Sequence, residues 1–408
     1  MNLYKKDFPI FNNNPKLVYL DNGATSQKPQ LVIDAISSYY ENSCANVHRG
    51  VHHLSDVSTT IFETSKKTVA SFFGAKNSEL IFTRNATEAL NGLAYGWAMN
   101  NLKEGDIILV SLLEHHANIV PWQEVGKQIG THLNYISLTN EGLLDINDLE
   151  EKIIKHGNKI KLISLAHVSN TLGTIAPINK VISLIKKHKI NCKVSLDGAQ
   201  SAPHMKINFA KLGVDFYAFS GHKMLGPMGI GGLLVKETLL QNNEMKPWLF
   251  GGGMIESVYK EKTIFNEDLS ERFIPGTPDV ASVAGLATAC EYLNKIEMEK
   301  VEQDDKALVK YALDQLSTIN EVEIIGPKST QDRLGSVAFI YKGVHAHDVA
   351  QVLDGENVAV RSGHHCTMPL HTENKWVATV RASFSIYNSK DDIDKLVNAI
   401  KKIKTIFK

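Results

Sequence analysis

Short hydrophobic runs recur through the first two-thirds of the chain and alternate with segments of helical spacing. The runs cover residues 79–84, 106–111, 132–138, 161–168, 193–197, 215–220 and 230–235. Several of them show no polar alternation, which is typical of strands buried on both faces of a largely parallel sheet. Helical spacing lies between them, for example at 142–156 and 178–189. We therefore predict an α/β fold, with a mainly parallel sheet covered by helices and ligands at the strand carboxyl ends.

The pattern changes after about residue 280. Two helical stretches, roughly 280–297 and 299–317, lead into short strands and a closing helix that starts near 390. These elements predict a smaller α+β unit, with which the amino-terminal segment packs. We expect a large domain at 20–280 and a small domain formed by 1–19 and 281–408. A chain of 408 residues is long enough for two domains that share one interface.

Composition excludes several classes of protein. The formal net charge of +0 provides no basic field that would attract nucleic acid. The longest apolar stretches, such as residues 107–113, are too short to cross a bilayer, and the amino terminus lacks the apolar region of a signal peptide. We expect a cytoplasmic protein that binds neither nucleic acid nor a membrane.

Two predicted strands end next to residues that suit pyridoxal phosphate. Asp197 closes the strand 193–197, and Lys223 follows the strand 215–220. The cofactor needs a lysine that forms a Schiff base with its aldehyde and a carboxylate that keeps its ring nitrogen protonated. Burial and cationic neighbours such as His222 would lower the pKa of Lys223 toward neutrality. Taken alone, an aspartate and a lysine at loop starts are more often plain surface residues.

Two further loops strengthen the prediction. The segment IFTRNATEALN (81–91) reads as a strand, a tight turn and a helix that opens near Thr87. Free N–H groups at a helix amino terminus bind phosphate well, although an ordinary helix cap is the alternative. The strand 106–111 leads to His116, whose ring could stack on a cofactor, although a single histidine in such a loop is more often structural. Each of these features alone has an ordinary structural explanation, but their occurrence together at several strand ends favours a cofactor site.

The chemistry of Cys366 needs its own argument. The chain has four cysteines with no CxxC spacing, too few for a disulfide framework: Cys44, Cys192, Cys290 and Cys366. A metal site with His364 and His365 is a second alternative. Adjacent side chains of an extended segment point to opposite faces and chelate one ion poorly, so we predict no metal. A buried, inert cysteine is the third alternative, but the flanking Gly363 and Pro369 indicate an exposed loop.

These segments, in this order, resemble the cysteine desulfurases of pyridoxal-phosphate fold type I, in the class-V aminotransferase superfamily. The matching segments run nearly end to end: YLDNGATSQKP, ANVHRGVHHLS, EHHANIVPWQ, HVSNTLGT, DGAQSAPH, SGHKMLGPMGIGGL, GGGMI, PGTPD and RSGHHCTMP. The short RSGHHC and the GGGMI element resemble the SufS-type group, also called selenocysteine lyases. The resemblance implies conversion of L-cysteine to L-alanine with a persulfide on Cys366, sulfur supply for iron–sulfur cluster assembly, and activity on L-selenocysteine.

The resemblance also implies a role for each matching residue. The roles are Lys223 in the Schiff base and proton transfer, Asp197 on the ring nitrogen, Gln200 on the phenolic oxygen, His116 stacked on the ring, Ala86, Thr87, Ser220, His222 and the partner subunit's Thr277 at the phosphate, Asn170 and Arg381 on the substrate carboxylate, Arg361 at the pocket mouth, and Cys366 as nucleophile. One departure is visible in RNATE, where Asn85 and Ala86 replace a glycine and a threonine common in the family. If backbone amides hold the phosphate, cofactor binding survives this change, with at most a modest loss of phosphate affinity.

The implied partners are a second copy of the chain in a homodimer and a SufE- or SufU-type sulfur acceptor. The segment GGGMIESVY (251–259) is a candidate docking or dimer-contact hairpin. Three functional alternatives stay open at this point. The main reaction could be selenocysteine lysis, the chain could catalyse another class-V reaction such as transamination, or it could be chiefly a sulfur-relay scaffold.

Overall fold

The computed structural model describes residues 3–48 and 50–407. Residues 1, 2 and 408 of the predicted small domain, and residue 49 of one matching segment, lie outside the described residues. The strands are β1 Val18–Tyr19, β2 Leu80–Thr83, β3 Ile107–Ser111, β4 His132–Ile136, β5 Ile160–Ala166, β6 Lys193–Asp197, β7 Phe216–Ser220, β8 Gly231–Val235, β9 Ile255–Val258, β10 Thr263–Phe265, β11 Val322–Ile325, β12 Ser336–Tyr341, β13 Val358–Ala359, β14 Arg361–Gly363 and β15 Thr379–Ser383.

Helices connect and cover these strands. They are α1 Pro9–Asn13, α2 Gln30–Asn42, α3 His53–Phe72, α4 Ala86–Leu93, α5 Met99–Asn101, α6 Val120–Ile129, α7 Ile146–His156, α8 Ile178–Lys187, α9 Phe209–Leu212, α10 Glu237–Gln241, α11 Val280–Ile296, α12 Met298–Leu316, α13 Ala346–Gly355, α14 Met368–Glu373 and α15 Lys390–Ile406. Within residues 3–48 and 50–407, no helix combines the length and apolar character that crossing a bilayer requires.

A seven-stranded sheet dominates the molecule. Its strand order is β2-β8-β7-β6-β5-β3-β4, and every neighbouring pair is parallel except the two pairs that involve β8. Because β8 alone runs against its neighbours, the carboxyl ends of β2, β5, β6 and β7 lie at one edge of the sheet. This arrangement is the predicted α/β fold, with the antiparallel β8 as a feature that the hydrophobic runs did not indicate.

The strands of this sheet are buried on both faces, which explains their continuous hydrophobic runs. On β3, Ile107 and Leu109 belong to the core on one face, whereas Ile108 and Val110 belong to the core on the other. Side chains alternate between the faces of a strand, so both sets must be apolar when helices cover both sides.

A smaller antiparallel sheet follows, in the order β11-β12-β15-β14, and α12, α13 and α15 pack with it around a separate core. The amino-terminal strand β1 pairs in parallel with β13. Leu20 and Asp21 continue this contact at Ser383, the last residue of β15. The segment of residues 19–28, called the N-terminal strap below, therefore runs from the small sheet toward the edge of the large one.

Candidate active site

A cavity of about 200 Å³ lies where the carboxyl ends of the large sheet meet the small sheet. Its lining includes most of the residues that the sequence predicted: Ala86, Thr87, Asn170, Asp197, Gln200, Ser220, His222, Lys223, Arg361, Cys366 and Arg381. Two predicted residues, His116 and Thr277, are not part of this lining. The cavity also contains His115 and His365, to which the sequence prediction assigned no role.

Lys223 and Asp197 form the electrostatic centre of the cavity. Burial lowers the pKa of Lys223 to about 8, Asp197 opposes this change, and the guanidinium groups of Arg381 and Arg361 add to it. Burial also raises the pKa of Asp197, against the nearby Lys223 and the Ala199 N–H, which donates to Asp197 Oδ1 at 3.0 Å. A lysine with a lowered pKa is a better nucleophile toward an aldehyde because more of it is unprotonated.

The peptide group that precedes Lys223 is held by four donors from the N-terminal strap. The carbonyl oxygen of His222 accepts hydrogen bonds from Thr25 Oγ1 (3.1 Å), Ser26 N (3.0 Å), Ser26 Oγ (3.1 Å) and Lys28 Nζ (2.9 Å). Burial lowers the pKa of Lys28 to about 8. These bonds fix the turn from which the Lys223 side chain extends into the cavity.

One end of the cavity has the donors that a phosphate group requires. Helix α4 begins at Ala86, whose N–H donates to Ser220 Oγ at 2.9 Å, and Asn85 caps the helix by accepting from the Glu88 N–H at 3.0 Å. Burial lowers the pKa of His222 to about 4, so its imidazole is neutral. Backbone amides at a helix amino terminus together with hydroxyl and imidazole groups form a typical phosphate site.

The structure contradicts the predicted position of His116. A turn after Ser111 places His115 in the cavity, whereas the His116 ring accepts a hydrogen bond from the Met368 N–H at 3.0 Å. The turn is fixed by the buried Glu114, which accepts hydrogen bonds from Ser111 Oγ and, at 2.6 Å, from Asn118 Nδ2. The ring of His115, rather than that of His116, is therefore the one available to a ligand in this cavity.

The tautomer of His115 follows from its surroundings. Its Nδ1 accepts a hydrogen bond from the Ala117 N–H at 3.0 Å. Burial lowers the pKa of His115 to about 3, and the nearby Lys223 charge adds to the effect. The imidazole is therefore neutral and carries its proton on Nε2.

The opposite end of the cavity contains two arginines. Arg381, on β15, donates to the Asn170 carbonyl at 2.8 Å and to Asp21 Oδ1 at 3.0 Å. Its Nε is buried and has no hydrogen-bond partner among residues 3–48 and 50–407. Arg361 Nη2 lies 4.0 Å from Cys366 Sγ. Two fixed cations beside a thiol form a suitable site for a small carboxylate.

Cys366 lies on a tight turn with unusual backbone angles. His365 and Cys366 have φ values of 50° and 59°, and the Thr367 N–H donates to the His364 carbonyl at 2.8 Å. Positive φ at both central positions is the pattern of a type I′ turn, which normally contains asparagine and glycine. Left-handed angles at non-glycine residues cost free energy, and two in succession persist here because the surrounding contacts hold them.

This turn is anchored to the loops of the large sheet. Asn170 Nδ2 donates to the His365 carbonyl at 2.6 Å, and the His116 N–H donates to the Cys366 carbonyl at 2.8 Å. The hydroxyls of Thr171 and Thr367 are 2.9 Å apart. The turn follows β14 of the small sheet, but these contacts hold it against loops of the large sheet. They therefore fix the position of the Cys366 thiol relative to Lys223.

Thr277 lies at a second cavity of about 240 Å³, where its hydroxyl donates to Asn46 Oδ1 at 3.3 Å. Among the described residues, one group has potential metal-ligand atoms that all lie within 4.8 Å of one another: His48, Glu63 and Glu271. His48 and Glu271 line this second cavity, so the group is separate from Cys366.

Comparison with known proteins places these features in a family. The aminotransferase class-V family model matches residues 18–396. A cysteine desulfurase of Haloferax volcanii is 43% identical over 96% of this chain and 90% of its own length, and a probable cysteine desulfurase of Halalkalibacterium halodurans is 44% identical over 99% and 98%. A cysteine desulfurase structure from Thermococcus onnurineus NA1 aligns with a TM-score of 0.92 at 39% identity, over 98% of this chain and 96% of that one.

Proposed function

The chain belongs to the cysteine desulfurases of the class-V aminotransferase family, and from this premise we propose that it converts L-cysteine to L-alanine with a persulfide on Cys366. The observation that carries the proposal is the presence of Cys366, Lys223 and Asp197 in one cavity of about 200 Å³. A transaminase would use the lysine and the carboxylate, but the anchored thiol would have no function in that reaction.

Pyridoxal phosphate is the cofactor, and the donor set of the cavity fits it. Lys223 would bind its aldehyde carbon, Asp197 its ring nitrogen and Gln200 its phenolic oxygen. His115 would contact the ring face, and the phosphate would be held by the amides of Ala86 and Thr87, by Ser220 and by His222. When bound, the cofactor supplies an electron sink for bonds broken at the substrate's Cα.

The arginines at the other end would orient the substrate. We propose that Arg381 binds the α-carboxylate, with Asn170 holding the guanidinium through its carbonyl oxygen. Arg361 would lie at the mouth, where its charge complements both the carboxylate and a thiolate at Cys366. The buried amine of Lys223 would move the proton at Cα.

The proposed sulfur transfer forms one S–S bond and breaks one C–S bond. The Cys366 thiolate forms an S–S bond to the substrate sulfur while the substrate's Cβ–S bond breaks, and its electron pair stays on carbon. The carbon then takes a proton, so that L-cysteine and an enzyme thiol become L-alanine and an enzyme persulfide. Thiolates are the reactive form of cysteine in such exchanges.

The biological setting is also a proposal. We propose that the protein is a cytoplasmic SufS-type enzyme that passes sulfur to a SufE- or SufU-type acceptor for iron–sulfur cluster assembly, and that it also acts on L-selenocysteine. The β9–β10 hairpin is the candidate docking element, since Val258 and Tyr259 are exposed on it. We place its domains at 20–280 and at 1–19 with 281–408.

We further propose a homodimer. Large apolar side chains that a second subunit could cover are exposed on the large domain: Tyr95, Met99, Met228, Leu249 and Phe250. Because Thr277 lies outside the cavity of its own chain, its proposed phosphate contact requires the cavity of a second subunit.

The proposed reaction is tested by the alanine released from L-cysteine and L-selenocysteine by the wild type, Cys366→Ala and Cys44→Ala. We expect Cys366→Ala to lose the cysteine reaction while it keeps bound-cofactor absorption and part of the selenocysteine reaction. Cys44 is exposed and outside the cavity, so Cys44→Ala serves as the matched control. Undiminished cysteine turnover in Cys366→Ala would exclude the persulfide mechanism.

A further inference from the structure

Lys28, in the N-terminal strap, is a charged side chain without a carboxylate partner within residues 3–48 and 50–407. Its Nζ donates hydrogen bonds to the Ser26 carbonyl and, at 2.9 Å, to the His222 carbonyl. A carbonyl oxygen has only a partial negative charge, so these bonds leave most of the positive charge uncompensated. Moving an ammonium group out of water without an anion costs free energy. A ligand that brings negative charge to this part of the protein would offset that cost.

The charge of Lys28 acts on the imidazole of His222 as well as on its carbonyl. Burial is the main cause that lowers the pKa of His222 to about 4, and the charges of Lys223 and Lys28 add to it. Burial lowers the pKa of Lys28 itself to about 8, so its amine is still mostly protonated at neutral pH. The His222 imidazole is therefore a neutral group next to a positive charge.

The proposed phosphate site consists of groups without a net charge. They are the N–H groups of Ala86 and Thr87, the hydroxyl of Ser220 and the neutral imidazole of His222. The amine of Lys223 would be bonded to the aldehyde carbon of the cofactor. A phosphate monoester has close to two negative charges at neutral pH. Neutral donors can bind its oxygens, but only a nearby cation can balance its charge.

We propose that Lys28 makes the site selective for the phosphorylated form of the cofactor, because its ammonium balances the phosphate charge from behind His222. This inference rests on the proposed function, in which the phosphate lies at Ser220 and His222. Lys28 is not part of the cavity lining, so it is a positioning residue that holds the His222 carbonyl and acts on the phosphate through space. Inside a protein such an attraction is weakened less than in water.

A purely structural role of Lys28 leads to a different expectation. Three other donors hold the His222 carbonyl: Thr25 Oγ1, Ser26 N and Ser26 Oγ. If Lys28 only added a fourth bond to this turn, its loss would disturb the position of Lys223. Pyridoxal and pyridoxal phosphate would then both bind more weakly, because both react with Lys223 through the same aldehyde. Loss of a balancing charge would weaken only the form that has the phosphate.

The test is the ratio of the dissociation constant of pyridoxal to that of pyridoxal phosphate. Both constants are measured at neutral pH, by titrating the Schiff-base absorption of the full chain after cofactor removal. We expect Lys28→Met, which keeps the length of the side chain but not its charge, to lower the ratio about tenfold. Lys28→Gln keeps a donor without the charge, and we expect the same loss.

The matched control is Lys127→Met. Lys127 is an exposed lysine that pairs with Glu124 on α6 and is not part of the cavity lining. Its replacement should leave the ratio at the value of the wild type. Circular dichroism of each cofactor-free variant verifies that the chain is folded.

If Lys28→Met weakens the binding of both ligands equally, Lys28 only stabilises the turn and the inference is overturned. An unchanged ratio in Lys28→Met, or a wild-type ratio in Lys28→Gln, would overturn it as well, because the charge would then have no effect. A wild type that binds pyridoxal as tightly as pyridoxal phosphate would contradict the proposed phosphate site, and with it the inference. Failure of the wild type to release alanine from L-cysteine would instead contradict the proposed reaction, which this ratio does not measure.

Discussion

Single buried groups set the charge states of the site. Lys223 has its pKa lowered to about 8, whereas the ring of His115 has its pKa lowered to about 3. Both changes come mainly from burial, which disfavours the charged form of a base. As a result, the cavity contains a lysine that can lose its proton near neutral pH beside an imidazole that stays neutral.

Burial acts in the opposite direction on the carboxyl of Glu114, whose pKa is raised to about 7 from an ordinary 4.5. A raised folded-state pKa of an acid contributes stability below pH 4.5, and that contribution is lost as the pH rises through 7. We expect Glu114→Gln, which stays uncharged, to lose less stability than the wild type between pH 5 and pH 8. Urea unfolding at several pH values measures this difference.

The control is Glu124→Gln, because Glu124 is exposed and bonds Lys127 at the surface. It should follow the pH dependence of the wild type. If Glu114→Gln and the wild type show parallel stability curves across this range, Glu114 does not titrate near pH 7.

The residues that the sequence identified are those whose chemistry is distinctive by itself, such as Lys223, Asp197 and Cys366. The sequence could not show which of the adjacent residues His115 and His116 enters the cavity. That depends on the turn of the chain around the buried Glu114, which only the structure shows. Lys28 was not predicted either, because its contact with the His222 carbonyl spans 194 positions of sequence. Such contacts leave no local pattern.

At the scale of elements, helix α4 explains the departure from the family pattern in RNATE. Asn85 accepts a hydrogen bond from the Glu88 N–H and caps the helix, a role that asparagine performs well. The Ala86 N–H, rather than a hydroxyl at this position, faces Ser220. The effect of Asn85 and Ala86 on cofactor affinity stays a prediction.

Replacing the cap tests this account. We expect Asn85→Ala to destabilise the protein by about 1 kcal/mol and Asn85→Gly by only a few tenths, because glycine leaves the free N–H groups open to water. Denaturant midpoints of the two variants and the wild type measure the difference. Equal losses in both variants would show that the Asn85 side chain acts through another contact.

The positions of most elements followed from hydrophobic spacing. Strand β6 was predicted at 193–197 and is Lys193–Asp197, and helix α11 was predicted at 280–297 and is Val280–Ile296. The direction of β8 was not predicted, because a strand buried on both faces has the same hydrophobic pattern in either direction. The two-residue β1 was also missed, since its pairing with β13 joins opposite ends of the chain.

At the scale of the whole molecule, the site depends on contacts between the two sheets. Arg381 comes from the small sheet, yet it donates to Asn170 and Asp21, and Asp21 belongs to the N-terminal strap. Further along the same strap, Thr25 and Lys28 donate hydrogen bonds to the His222 carbonyl. The position of the small sheet is thereby linked to the turn that carries Lys223.

The proposed homodimer leads to a test with mixed subunits. We expect Thr277→Val to weaken cofactor binding about threefold to tenfold by removing one hydrogen bond. If Thr277 acts across the interface, a mixed dimer of Lys223→Ala and Thr277→Val subunits has one cavity with both changes and one cavity with neither. The unchanged cavity should then bind cofactor with the affinity of the wild type.

The measurement is a cofactor titration of mixed dimers purified with two different tags, and the two homodimers serve as controls. Wild-type affinity in half of the sites supports the contribution from the partner. If no site in the mixed dimer exceeds the affinity of the Thr277→Val homodimer, Thr277 acts within its own chain.

The anchored turn around Cys366 would limit the movement of the sulfur in the proposed persulfide. Asn170 and His116 donate hydrogen bonds to the carbonyls of His365 and Cys366, the two central residues of the turn, and so restrain its backbone. The sulfur of that persulfide would then move only as far as the short cysteine side chain reaches. In the proposed reaction, an acceptor thiol would therefore have to reach into the mouth of the cavity, and the shape of that mouth would select the recipient.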